Sequence, residues 1–157
     1  MKKLILLAGF YCLQPALHAA ISRPSAKINP APLSTSDRAM AHFKEHYGDI
    51  QNVSWFNNKD RSMFCVFHEG NYMTHVFYDK QGYWQGTLVN YTPAELVSDI
   101  KDLVMDNFAG YTISYVNEIR LPGEAPAYVI NIEDANHIKV VQVVNGEIDI
   151  TEDLIKS

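Results

Sequence analysis

The chain switches between two hydrophobic periods. Over residues 37–47, Ala39, Met40, Phe43 and Tyr47 fall on one side of a 3.6-residue repeat, the pattern of a helix with one buried stripe. Ser34, Thr35 and Ser36 precede it as N-cap candidates, and Gly48 follows it as a left-handed stop. The period then falls toward two, and strands are predicted over 52–57, 62–68, 72–79 and 83–89. Asp79-Lys80-Gln81-Gly82 joins the last two as a hairpin turn, with Gly82 supplying a positive φ. A second helix is predicted from Thr92-Pro93-Ala94-Glu95, which offers a capping threonine, a proline at the first helical position and a capping-box glutamate. Its stripe is Leu96, Ile100, Leu103, Val104 and Phe108, and Gly110 stops it. Strands follow over 112–120, 127–133, 139–144 and 147–150, the last two joined by the hairpin signal Asn145-Gly146.

Every strand connection within each run is short, so the sheet is expected to be antiparallel. Both amphipathic helices then need the same sheet face to bury their stripes. The expected class is α+β: tandem helix-plus-antiparallel-strands units, with two helices on one face of one sheet. The pattern also repeats. Phe43 to Trp55 reads like Val104 to Tyr115, and His75 to Trp84 reads like Lys139 to Ile148, at offsets of 61 and 64 residues. A near-constant offset suggests a duplicated unit, about 37–89 and 92–150. Two units of that size have thin cores, so one continuous sheet is expected to serve both, within a single domain over 37–157.

The start of the chain changes the setting. Met1-Lys2-Lys3, a mostly apolar stretch to Leu17 and then Ala19-Ala20 make a secretory signal over 1–20, with cleavage expected near Ala19 or Ala20. The apolar stretch is short for a membrane span. Tyr11 before Cys12 does not fit a lipidation site. Residues 21–36 carry Pro24, Pro30 and Pro32 and read as a flexible linker. The location expected is periplasmic or secreted, without membrane insertion after signal removal. The formal net charge is −5, and loss of Lys2 and Lys3 takes it to −7, which argues against nucleic acid or an anionic membrane surface as partner. Processing would leave one cysteine, Cys65, in the apolar strand pattern Met63-Phe64-Cys65-Val66-Phe67, read as a buried hydrophobe.

Candidate chemistry is sparse. His42-Phe43-Lys44-Glu45-His46 matches the H-x-x-E-H arrangement, whose two histidines share a helix face and suit zinc. A zinc-dependent hydrolase using His42, Glu45 and His46 is therefore one alternative. It is weakened because Leu103 and Asn107 stand at the equivalent places of the second unit. His68 and His75 on neighbouring strands, near Glu69, form a second pair able to bind metal or titrate near neutral pH. His137 falls in the expected loop Asp134-Ala135-Asn136-His137. No phosphate loop, nucleophile elbow or calcium loop is present, and neither an enzyme nor a cofactor is expected.

Aromatic residues crowd the first unit's strands, which are apolar on both sides at Phe64-Cys65-Val66-Phe67 and Val76-Phe77-Tyr78. One side packs on the helices. The other would leave an aromatic face for a protein or peptide. Phe67, Tyr72, His75, Phe77, Tyr83 and Trp84 are the candidate contact residues. The second unit is more polar at the matching places, with Asn131 for Phe67, Lys139 for His75 and Glu147 for Tyr83.

The pattern Ala39-x-x-x-Phe43, Val53-Ser54-Trp55, Val66-Phe67 and Met73-Thr74-x-x-Phe77-Tyr78-Asp79-x-x-Gly82-x-Trp84 resembles the PepSY-like domains akin to beta-lactamase-inhibitor protein, exported by Bacteroidetes-type bacteria. Val116-Asn117-Glu118-Ile119, Ala127-Tyr128-Val129-Ile130 and Lys139-Val140-Val141 are similar to the second half of that family, so the likeness runs over 37–150. It implies a tandem helix-plus-sheet repeat with a concave open face and a periplasmic or secreted location. It also implies, by analogy, a protein partner bound in an inhibitor-like way. The expectation is a non-enzymatic binding module for a protein or peptide of the envelope. A small-ligand or metal carrier is the alternative of another class.

Overall fold

The side chain of Ser34 accepts a hydrogen bond from the Asp37 N–H at 3.1 Å, and the first helix, α1 (Thr35–Tyr47), starts behind this cap. It begins inside the segment read as linker, because the capping side chain is two residues earlier than the apolar stripe indicates. Gly48, at φ 71°, ends it. The computed structural model describes residues 34–156. The signal and most of the linker lie outside the described residues.

Four strands follow α1: β1 (Ser54–Asn57), β2 (Met63–Glu69), β3 (Tyr72–Tyr78) and β4 (Trp84–Tyr91). A 3-10 turn (Pro93–Glu95) and helix α2 (Ser98–Asn107) lead to β5 (Thr112–Arg120), β6 (Ala127–Glu133), β7 (His137–Val144) and β8 (Glu147–Ile155). All eight strands form one antiparallel sheet in sequence order, β1 to β8. His137 starts β7 rather than lying in a loop.

Strand register fixes which side chains share a face. Trp55, Cys65, Val76 and Thr87 form one cross-strand row. Tyr91, Val116, Ile130 and Val141 form another on the same side. Both helices cover this side. Ala39 and Phe43 of α1 pack with Met63, Cys65, Phe67, Val76 and Tyr78. Val104 of α2 packs with Val116, Ile130 and Val141 in a second cluster. Between the clusters runs a polar seam. The Tyr47 hydroxyl and Thr87 Oγ1 are 2.9 Å apart, and Trp84 Nε1 donates to Thr87 Oγ1 at 3.1 Å. The Tyr91 hydroxyl donates to Glu118 at 3.0 Å, and Arg120 Nε donates to its other oxygen at 2.6 Å.

Helix α2 departs from the expected start. Thr92 makes no side-chain cap, and Leu96 is extended at φ −67° and ψ 131°, which separates the 3-10 turn from the helix. Glu95 does not close a capping box. It accepts from the Tyr72 hydroxyl at 3.0 Å and from Asn71 at 3.2 Å, tying the turn to β3. In α1, Met40 is exposed rather than buried, as the helix turns only Ala39 and Phe43 fully into the core. Strand β8 runs five residues past its expected end. It passes a bulge at Val140/Val141, where the Thr151 hydroxyl donates to the Val140 carbonyl.

The element order is helix, four strands, helix, four strands. At residue level the offset of 64 joins positions on opposite faces: Phe67 is turned to the helices and Asn131 away, His75 away and Lys139 toward. The bulge at Ile113/Tyr115 has the same effect on Trp55 and Tyr115.

Candidate functional site

The side of the sheet opposite the helices carries the candidate site. No helix covers it among the described residues. At the β1 end Phe56, Phe64 and Phe77 form a stacked aromatic row, with ring centroids 4.9 and 5.9 Å apart. His75 stacks on Phe77 at 6.3 Å and 13°. The next row is Val66, His75, Leu88, Ile119, Ala127 and Val144.

Beside these apolar rows lies a row rich in carboxamides. Asn90, Asn117 and Gln142 lie in register across β4, β5 and β7, with Val129 between the last two. Asn90 Nδ2 donates to Asn117 Oδ1. Gln142 is only 7% exposed, and its Nε2 has no hydrogen-bond partner. A buried, unpaired donor is a defect unless something meets it, at a cost of about 1–3 kcal/mol. Within the strands this face holds no lysine or arginine, whereas Glu133, Glu147, Asp149 and Glu152 lie on it over β6 to β8.

Of the six candidate contact residues, only His75 and Phe77 lie on this face. Phe67 is buried under α1 between Phe43 and Tyr47, because it alternates with Val66 toward the helices. Tyr72 also faces the helix side, packed on Tyr91 and bonded to Glu95. Trp84 stacks on His42 at 5.8 Å and bonds Thr87. Tyr83 is exposed at the turn before β4, where the Arg38 guanidinium lies 4.5 Å from its ring. Sequence reading missed Phe56, Phe64, Asn90, Asn117 and Gln142 as members of the face. Their signal is strand alternation, which becomes readable once one residue per strand is known to be buried.

The two histidines of the H-x-x-E-H segment are engaged locally. His42 Nδ1 lies 3.2 Å from the Tyr78 hydroxyl, and His46 Nδ1 lies 2.9 Å from the His42 carbonyl oxygen. Their rings stack at 4.0 Å and 17°. Metal bonds leave an imidazole in its ring plane, so stacked rings send their lone pairs along parallel lines that do not meet. Burial, and next the neighbouring His46, lowers the His42 pKa against the opposing pull of Glu45. Among the described residues no group of three or more His, Cys, Asp and Glu is arranged to hold a metal. The Cys65 thiol is fully buried, and burial pushes its pKa up to about 12, which makes it a packing residue. No helix among the described residues is long and apolar enough to cross a membrane.

The fold is shared with solved proteins of Bacteroides. A BLIP-like protein from Bacteroides fragilis matches with a TM-score of 0.61 at 13% identity, covering 80% of this chain and 89% of that one. A DUF2874 family protein from Bacteroides ovatus matches with a TM-score of 0.59 at 15% identity, covering 83% and 89%. Another from Bacteroides uniformis matches at 0.58 and 15%, covering 82% and 90%. No protein-family model matches the chain, and no curated protein matches it. At these identities the likeness is one of fold, and it agrees with the BLIP-like resemblance drawn from the residues.

Proposed function

We propose that the chain is an exported, non-enzymatic binding module whose open sheet face takes a protein or peptide partner in the envelope. The observation that carries this reading is the stacked aromatic row on one uncovered face, lying beside a row of carboxamides. Aromatic rows supply the apolar area of an interface centre. Carboxamides both donate and accept, which suits the main chain of an extended segment. The absence of strand lysines and arginines, and the carboxylates over β6 to β8, favour a partner with an apolar centre and a basic rim.

The signal-like start supports export. The name of the BLIP-like structural neighbour supports a protein partner bound in an inhibitor-like way, as fold analogy only. The same reading takes the two helix-plus-four-strand halves as an old duplication, of which the aromatic first half has become the binding half.

The test is comparative capture from the crosslinked envelope of the native host. The double variant Phe56→Ala, Phe77→Ala is expected to lose a partner that the wild type and Met40→Ser both retain, with a loss of affinity of about thirtyfold. Equal capture by the double variant would remove the open face from the account. Gln142→Ala, which deletes a buried unpaired donor, is expected to leave the melting temperature unchanged or raised.

A further inference from the structure

We propose that His68, Met73 and His75 form a binding site for monovalent copper. Register in the β2–β3 hairpin pairs His68 with Met73 and Val66 with His75, so all three side chains lie on the open face. Met73 and His75 are two residues apart on one strand, and His68 stands opposite Met73. Directly opposed pairs hold their Cβ atoms about 5 Å apart and diagonal neighbours about 7–8 Å. From origins so spaced, two imidazole arms and a thioether arm are long enough to converge on one ion.

The ring nitrogens single out this pair of histidines. His42 is engaged with Tyr78, His46 with the His42 carbonyl, and His137 lies 3.6 Å from Asp134. Neither the His68 nor the His75 ring has a hydrogen-bond partner among the described residues. Exposed His68 and half-buried Met73 line a cleft of about 280 Å³, which gives an ion a path in.

The donor set chooses the ion. A thioether with imidazoles suits soft monovalent copper, whereas zinc draws on thiolates, imidazoles and carboxylates. The nearest carboxylate in the hairpin, Glu69, pairs with Tyr72 and is turned to the opposite face by the strand pleat. Val66 and Leu88 flank His75 in its cross-strand row, an apolar surrounding that favours the singly charged ion.

The experiment titrates protein purified without an affinity tag, under anaerobic reducing conditions, into the Cu(I)–bicinchoninate complex. The wild type is expected to withdraw about one copper per chain. Met73→Leu, which keeps the volume, and His68→Gln, at an exposed position, are each expected to weaken binding by about tenfold or more while melting like the wild type. The pair His42→Gln, His46→Gln is expected to bind as the wild type does. The proposal is overturned if the wild type leaves the copper with the chelator, if Met73→Leu binds unchanged, or if equimolar zinc displaces the copper. No outcome depends on the protein partner proposed above.

Discussion

Gly82 shows how a single residue joins helix and sheet. It sits at φ 84° in the β3–β4 turn, and a Cβ there would collide with the Thr35 carbonyl oxygen at the start of α1. The same contact holds the Thr35 hydroxyl on the Lys80 carbonyl at 3.1 Å and Arg38 on the Gln81 carbonyl. Gly82→Ala is expected to lower stability by about 2–3 kcal/mol, combining positive-φ strain with displacement of α1. Gly110→Ala, at φ 88° with open space around it, is expected to lose about 1 kcal/mol. Urea midpoints of the two variants compare the effects, and equal losses would mean that the turn does not seat the helix. The turn and its positive φ were legible in Asp79-Lys80-Gln81-Gly82, but the helix packed above it was not, because that contact spans more than forty residues of sequence. Histidine titration belongs to the same scale. Burial depresses the pKa of both His42 and His75, with His46 and His68 adding to it respectively. The unfolded chain then takes up these protons first, so stability is full above the ordinary value of about 6.5 and declines as pH falls toward the depressed values. Denaturation midpoints at about pH 7.5 and about pH 5.5 are expected to differ more for the wild type than for His42→Gln, His75→Gln. An equal shift in the two proteins would assign the acid sensitivity to other groups.

Among elements, the predicted order was legible throughout, and β5 and β6 match their predicted limits over 112–120 and 127–133. Hairpin signals at Gly82 and Asn145-Gly146 punctuate a strict up-and-down sheet, which leaves little freedom in topology. The start of α2 was misread because Glu95 has two possible partners and sequence shows only the local one. A capping box satisfies the helix's own N–H groups, whereas here the carboxylate takes the Tyr72 hydroxyl across the β3–α2 boundary. Glu95→Ala and Tyr72→Phe are each expected to cost about 1 kcal/mol. The double variant is expected to lose less than the sum, with a coupling of about 0.5 kcal/mol or more. Additive losses in a double-mutant cycle, or a fall in helix content for Glu95→Ala alone, would restore the capping role. The open face was only partly legible for a related reason. Strand alternation gives two sides, but naming the buried side needs a contact to a helix, and bulges at Phe77/Tyr78, Ile113/Tyr115 and Val140/Val141 each reset the count. Phe67 and Phe77 are equally aromatic in sequence, yet one fills the core and the other lies on the opposite side.

For the described domain as a whole, the question is whether two hydrophobic clusters make one cooperative unit. The α1 cluster and the α2 cluster share no buried residue, and the seam between them is polar. The α2 cluster already includes Val89 and Tyr91 of β4, so the two halves are joined through it by the β4–β5 ladder, from Thr87 opposite Arg120 to Tyr91 opposite Val116, with Glu118 closing it to Tyr91 and Arg120. Each half has about sixty residues, a size at which a core alone gives marginal stability. Separating the halves would also turn β4 or β5 into a raw edge and strip a partner strand from Val89, Tyr91 and Val116, all buried. One calorimetric transition is therefore expected for the domain, and segments 34–91 and 92–156 expressed apart are expected not to fold. Glu118→Ala is expected to lower stability by about 2 kcal/mol, less than for a fully buried ion pair because Arg120 is half exposed. It also leaves the Tyr91 hydroxyl unpaired inside the seam. If either isolated segment melted cooperatively, the ladder would be a docking interface between two small domains. Glu118→Ala would then split the single transition into two, the outcome that a jointly stabilised sheet does not allow.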